Sequence, residues 1–104
     1  MHAIVRRYEG VDMNRTDEVT KSIDETLLPN LSKLPGFSGY FLIAPDNGVM
    51  TSIGLFESSS QGVDSTRIAS EWVRDENLES VLPNAPKITD GEVIAHKTSN
   101  GFSA

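Results

Sequence analysis

Residues 34–56, "LPGFSGYFLIAPDNGVMTSIGLF", read as the end of a helix, a strand, a two-residue turn and a second strand. Asn47-Gly48 is a strong hairpin signal, because a type I′ turn requires positive φ at both central residues. The strands then run over about 37–44 and 49–56. A turn closed by a pair of Asp46 and Val49 sets the faces. One carries Tyr40, Leu42, Ile53 and Leu55; the other carries Phe41, Ile43, Met50 and Phe56, with Phe41 lying over Gly54. Both faces are apolar, whereas an antiparallel hairpin in a small protein commonly shows one face to water.

Working outward, residues 2–8, "HAIVRRY", alternate and are β-rich, giving a first strand. The acidic turn "TDEV" after Asn14 and Thr16, which are potential caps, starts a helix. Val19, Ile23, Leu27, Leu31 and Leu34 form its apolar stripe. Pro29 predicts a kink or break there, followed by a short helical piece, and "LPG" stops it. Ser58 and Gln61 fit a capping box opening a second helix, with Ser65, Ile68, Ala69, Trp72 and Val73 on its inner face. "PNAPK" is an extended connection, residues 92–97, "EVIAHK", are read as the fourth strand, and "TSNGFSA" is a weakly specified tail.

The order β-α-β-β-α-β with a central hairpin predicts an α+β, ferredoxin-like fold: a four-stranded antiparallel sheet, strand order 4-1-3-2, with two helices on one face. Strands one and four then pair, with Ile4 opposite Ile94, Val5 opposite Val93, Ala3 opposite Ala95 and Arg6 opposite Glu92. Residues 1–104 fit one domain.

A hydrophobic fraction of 38% and a charged fraction of 23% favour a packed core. The net charge of -6 disfavours nucleic acid and anionic membrane surfaces as partners. There are no cysteines, so disulfides, thiol catalysis and cysteine-ligated metals are excluded, and no P-loop, GxGxxG, HExxH or GxSxG motif occurs. The N-terminus lacks an apolar run of signal-peptide length, and a cytoplasmic location is expected.

Two helices cover one side of a sheet only. The second face, with Ile4, Phe41, Ile43, Met50, Phe56 and Ile94, predicts a homodimer packed sheet to sheet; the alternatives are that the C-terminal tail or the 77–87 loop folds across it.

"LPGFSGY" running into a strand and hairpin, then "SIGLFES" entering a helix that carries Trp72, resembles the dimeric α/β-barrel superfamily, and within it the antibiotic biosynthesis monooxygenase-like proteins. The resemblance covers most of the chain. It implies a homodimeric barrel with a pocket in each subunit between sheet and helices. It also implies activities that include oxidation of polycyclic phenols or quinols without metal or flavin, haem degradation, and small-molecule isomerase or decarboxylase-like functions. Trp72 matches the second-helix tryptophan of the oxygenase members, but the asparagine that accompanies it there has no clear counterpart. The haem-degrading type places a histidine after that helix, and residues 73–91 contain none, which disfavours haem as a cofactor.

The candidate chemistry follows. Trp72, Tyr40 and Tyr8 are candidates to line a pocket for a small hydrophobic or aromatic ligand, each also readable as a core or half-buried residue. His2 and His96 fall opposite each other in the strand pairing above and are candidate general bases, or else surface or interface residues; they are too few for a metal site. Adjacent arginines in a strand point to opposite faces. With Arg6 meeting Glu92, Arg7 is the candidate anion or enolate anchor. No cofactor is expected. The sequence supports a small-molecule-binding dimer with cofactor-independent monooxygenase-like chemistry, or else a non-catalytic ligand-binding or stress accessory.

Overall fold

The computed structural model describes residues 1–44 and 47–97. In chain order it contains β1 (His2–Glu9), a 3-10 turn (Met13–Arg15), α1 (Thr16–Ser22), a π-helical segment (Ile23–Leu27), α2 (Leu28–Ser32), β2 (Phe37–Ile43), β3 (Val49–Phe56), α3 (Ser59–Asp75) and β4 (Lys87–Glu92). The strands form one antiparallel sheet in the order β2-β3-β1-β4, the ferredoxin-like arrangement. Among the described residues no helix is long and apolar enough to cross a membrane.

Local chemistry explains the elements. Asp12 caps the 3-10 turn by accepting from Asn14 N at 3.1 Å, so the first cap is Asp12 rather than Asn14 or Thr16. The break expected at Pro29 is absorbed one turn earlier. Proline lacks an N–H and its ring crowds the carbonyl four residues back, and here the helix widens into the π segment, with Leu28 N donating to Ile23 O. Val19, Ile23, Leu27 and Leu31 stay on one buried stripe through this change of pitch. Gly36 then turns the chain with φ of 82°. The capping box of α3 forms, Gln61 Oε1 accepting from Ser58 N at 3.0 Å.

The hairpin register is one residue away from the sequence expectation. Tyr40 pairs with Gly54, Phe41 with Ile53, Leu42 with Ser52 and Ile43 with Thr51, so Phe41 does not lie over Gly54. The expected pair of Asp46 with Val49 lies outside the described residues, as does the tail from 98 onward. A one-residue slip moves one strand's side chains to the opposite face relative to its partner. Ile4, Met50 and Phe56, expected on the open face, are buried under the helices at 1%, 1% and 0% exposure. They share that face with Tyr40 and Leu42. Phe41 and Ile43 remain on the open face with Val5, Ile53 and Leu55.

The reason lies in size rather than hydrophobicity. The core face of β3 presents Met50, Ser52, Gly54 and Phe56, and its open face presents Val49, Thr51, Ile53 and Leu55. Small residues let the layers close up: a Cβ on Gly62 of α3 would sit 2.8 Å from Ile4 Cδ1, and one on Gly54 would sit 3.0 Å from Phe56 Cε2.

The fourth strand also differs from expectation. It is Lys87–Glu92, not 92–97, and it pairs His2 with Glu92, Ile4 with Asp90 and Arg6 with Ile88. It begins directly after Pro86, is an edge strand, and is almost wholly exposed, so apolar content does not mark it. Ile94 lies beyond it, 94% exposed.

Candidate functional site

The inner face of β1 alternates His2, Ile4, Arg6 and Tyr8, and all four are buried beneath the helices. Arg6, not Arg7, is therefore the inward arginine. Strand pairing with Ile88 instead of Glu92 leaves its guanidinium to turn under α3, while Arg7 lies on the open face and meets Glu9 at 3.3 Å.

Arg6 is 2% exposed. Its Nη2 donates to Ser65 Oγ at 2.9 Å and to Thr66 Oγ1 at 3.0 Å. Both hydroxyls spend their own protons on the Gly62 carbonyl, at 2.7 and 3.2 Å, so they face Arg6 as acceptors. Its buried Nε meets no acceptor, and among the described residues no carboxylate pairs with the guanidinium. Burial pulls the Arg6 pKa below the usual arginine value, an effect that nearby Tyr8 and Tyr40 oppose.

Tyr8 is raised to about 12, first by burial and then, in opposite directions, by Arg6 and Tyr40. Burial also raises Tyr40. Both phenols are neutral O–H donors at neutral pH.

Two spaces adjoin Arg6. One is a gap of about 10 Å³ among Arg6, Tyr8, Tyr40, Ser52 and Trp72, too small for an organic ligand. The other is a cleft of about 360 Å³ between β1, the far side of α3, the segment 79–86 and Ile88. Arg6, Tyr8, Thr66, Ser70 and Asn84 supply its polar groups together with exposed Glu79 at its border, and Ala69, Val73, Leu82 and Pro83 are among its apolar walls. Such a volume suits a small organic molecule. Asn84 holds the segment 79–86 to β1 by donating to Glu9 O at 3.0 Å.

Tyr8, Tyr40 and Trp72 thus surround one gap, and of these three only Tyr8 also borders the cleft. Trp72 is 5% exposed, with Nε1 donating to Ser22 Oγ at 2.8 Å. His2 and His96 are not brought together. His2 is tucked against the start of α3 near Gly62, and His96 is exposed past the end of β4. Neither lines the cleft. Among the described residues no three His, Asp or Glu side chains converge in a way that could hold a metal ion. Sequence reasoning missed the Arg6–Ser65–Thr66 cluster and the 79–86 wall. The signal for the former was the pair of hydroxyls one turn after Gly62, on the face of α3 that meets β1.

No family model matches the chain, and no curated protein matches it in sequence. Solved structures do. A monooxygenase of Streptomyces coelicolor, solved with nanaomycin D, superposes with a TM-score of 0.74 at 13% identity, covering 95% of this chain and 92% of that one. A protein of unknown function from Nitrosomonas europaea gives 0.72 at 18% identity, covering 96% and 95%. A dimeric ferredoxin-like protein from an uncultured marine organism gives 0.70 at 15% identity, covering 95% and 92%. Another match is described as an antibiotic biosynthesis monooxygenase. At these identities the likeness is one of fold: the chain has the ferredoxin-like fold of the antibiotic biosynthesis monooxygenase-like proteins.

Proposed function

We propose that the chain is a small-molecule-binding homodimer that takes a small aromatic or enolisable compound in the cleft beside Arg6 and Tyr8 and acts on it as a cofactor-independent, monooxygenase-like enzyme. One observation carries the reading. The 360 Å³ cleft is walled mainly by apolar side chains, and two buried donors, the Arg6 guanidinium and the neutral Tyr8 phenol, border it. An apolar cleft with a few convergent polar groups is the usual form of a small-ligand site. The fold shared with the Streptomyces coelicolor monooxygenase supports the reaction class.

The chemistry balances without a bound cofactor. A base removes a proton from the acidic carbon of the substrate, and Tyr8 donates to the resulting oxyanion. The carbanion gives one electron to O2, and the radical pair joins into a C–O bond. The peroxide anion takes back the proton held by the base and then loses its remaining C–H proton and hydroxide, which leaves a ketone and water. Glu79 is the one carboxylate among the described residues that borders the cleft, and it is the base in this scheme.

The same cleft supports ligand binding without turnover as a second reading, favoured by one observation: neither histidine reaches it and Glu79 lies at its exposed rim. Oxygen uptake separates the two. An air-saturated mixture of the protein with a polycyclic phenol should consume O2 in step with product, and Tyr8→Phe should slow that consumption about 10-fold or more. Calorimetric binding with no O2 uptake contradicts the enzyme reading and leaves the binding one.

The homodimer is supported by the open sheet face, where Phe41 is 44% and Ile43 51% exposed beside Val5, Ile53 and Leu55, and by the dimeric state of the marine protein of the same fold. The interface on this reading keeps Phe41, Ile43 and Ile94 and replaces Ile4, Met50 and Phe56 with Val5, Ile53 and Leu55.

A further inference from the structure

We infer that the molecule taken by this cleft is a carboxylate, an aromatic or similarly apolar acid, and that Arg6 is its counter-ion. The inference rests on the cleft being the ligand site and adds the charge of what enters it.

A guanidinium removed from water is costly unless an opposite charge or a full set of acceptors replaces the solvent. Arg6 is 2% exposed and has neither. Two neutral hydroxyls take Nη2, Nε meets no acceptor, and no described carboxylate approaches. The chain does not lack acids. It has 15 Asp and Glu against 9 Lys and Arg. The ion pairs among the described residues lie at the surface, with exposures of roughly a third or more on each partner. In a protein of net charge -6, Arg6 is the one deeply buried cation among the described residues, and no carboxylate of those residues pairs with it.

Local geometry points the same way. The Ser65 and Thr66 hydroxyls are committed to the Gly62 carbonyl and fix the guanidinium from the helix side. Nη2 places both of its protons on these hydroxyls, so the donors left are Nη1 and the buried Nε, which share no edge; a carboxylate is taken through one oxygen at Nη1 in a charge-assisted bond. Tyr8, neutral and bordering the same cleft, adds an O–H donor. The remaining wall accepts a carbon skeleton: Ala69, Val73, Leu82, Pro83, Ala85 and Ile88. Glu79 is the opposing charge, and its exposed position leaves it screened by solvent, whereas the Arg6 interaction is formed out of water.

The test compares 2-naphthoate with its neutral isostere 2-naphthamide by titration calorimetry on the full chain at pH 7. The naphthoate should bind at least about 10-fold more tightly. Equal affinities overturn the carboxylate inference and leave the cleft a ligand site, whereas binding of neither overturns both. Arg6→Met should reduce the preference below about 2-fold while the amide still binds, and a preference that survives the substitution overturns the assignment to Arg6. Because Arg6 also anchors α3, the wild-type protein supplies an independent readout. The Arg6 Nε–H resonance should shift on adding naphthoate and not on adding naphthamide, and a resonance that ignores naphthoate contradicts the inference.

Discussion

The indole Nε1–H of Trp72 donates to the Ser22 hydroxyl at 2.8 Å, and that hydroxyl donates onward to Glu76 Oε1 at 3.2 Å. Thr26 meets the same carboxylate oxygen at 3.1 Å. The relay ties α1, the π segment and the end of α3 together, and fixes the ring that closes the gap beneath Arg6. Ser22→Ala should leave the buried indole donor unmatched and cost about 1–3 kcal/mol. Urea unfolding followed by tryptophan fluorescence measures this, and a loss below about 0.5 kcal/mol would mean the indole finds another acceptor.

The close approach of Gly62 to Ile4 makes a second prediction. Glycine to alanine inside a helix ordinarily gains about 1 kcal/mol. Here the new Cβ would meet Ile4 Cδ1 at 2.8 Å and Cγ1 at 3.1 Å, with His2 Cδ2 at 3.2 Å, and Ile4 is fully packed. Overpacking of this kind costs about 1–3 kcal/mol, so Gly62→Ala should destabilise the fold. Ile4→Val removes Cδ1 and should recover part of the loss in the double variant. A double-mutant cycle with no coupling would show that α3 simply moves away.

Tyr8 supplies a pH dependence. Its folded pKa of about 12 lies above the model-peptide value of 10.0, so the folded state holds the proton more tightly. The associated stability is complete below pH 10 and is lost as pH rises from 10 through 12, by up to about 2–3 kcal/mol. Half-buried Tyr40, also raised by burial, contributes in the same direction. Absorbance at the tyrosinate band should show Tyr8 un-ionised at pH 10 while the protein stays folded, with Tyr40→Phe isolating its signal. Half-ionisation of Tyr8 at that pH would place its ring in water.

The open sheet face leads to the third substitution. Ile53→Asp puts a charge at its centre without touching the helix side, and should convert a sedimenting species of about twice 11.3 kDa into one of 11.3 kDa. A wild-type mass that stays at 11.3 kDa across concentration would remove the homodimer from the account.

Much of the fold is legible in sequence because each signal is local. The stripe Val19, Ile23, Leu27 and Leu31, the capping box at Ser58 and Gln61, and the turn at Gly48 each depend on residues a few positions apart. The faces of the hairpin are not. Val49, Thr51, Ile53 and Leu55 look more like a core-facing row than Met50, Ser52, Gly54 and Phe56 do, yet the second row is the one under the helices. What selects it is the space a helix needs, a property of the partner layer. A separate displacement, of strand four along β1, hid the site. With strand four placed at 92–97, Arg6 had Glu92 as a neighbour; with strand four at Lys87–Glu92 it faces Ile88, loses that partner and borders the cleft. An exposed edge strand such as "KITDGE" carries little apolar signal, and its position is set by pairing with β1.

A crystal structure of the protein soaked with 2-naphthoate tests the central claim most directly. The account predicts the ring system between Ala69, Val73 and Leu82, with a carboxylate oxygen about 2.7–3.1 Å from the Arg6 guanidinium. Density on the open face against Ile43 and Ile53, or a carboxylate turned to solvent with Arg6 untouched, would contradict it.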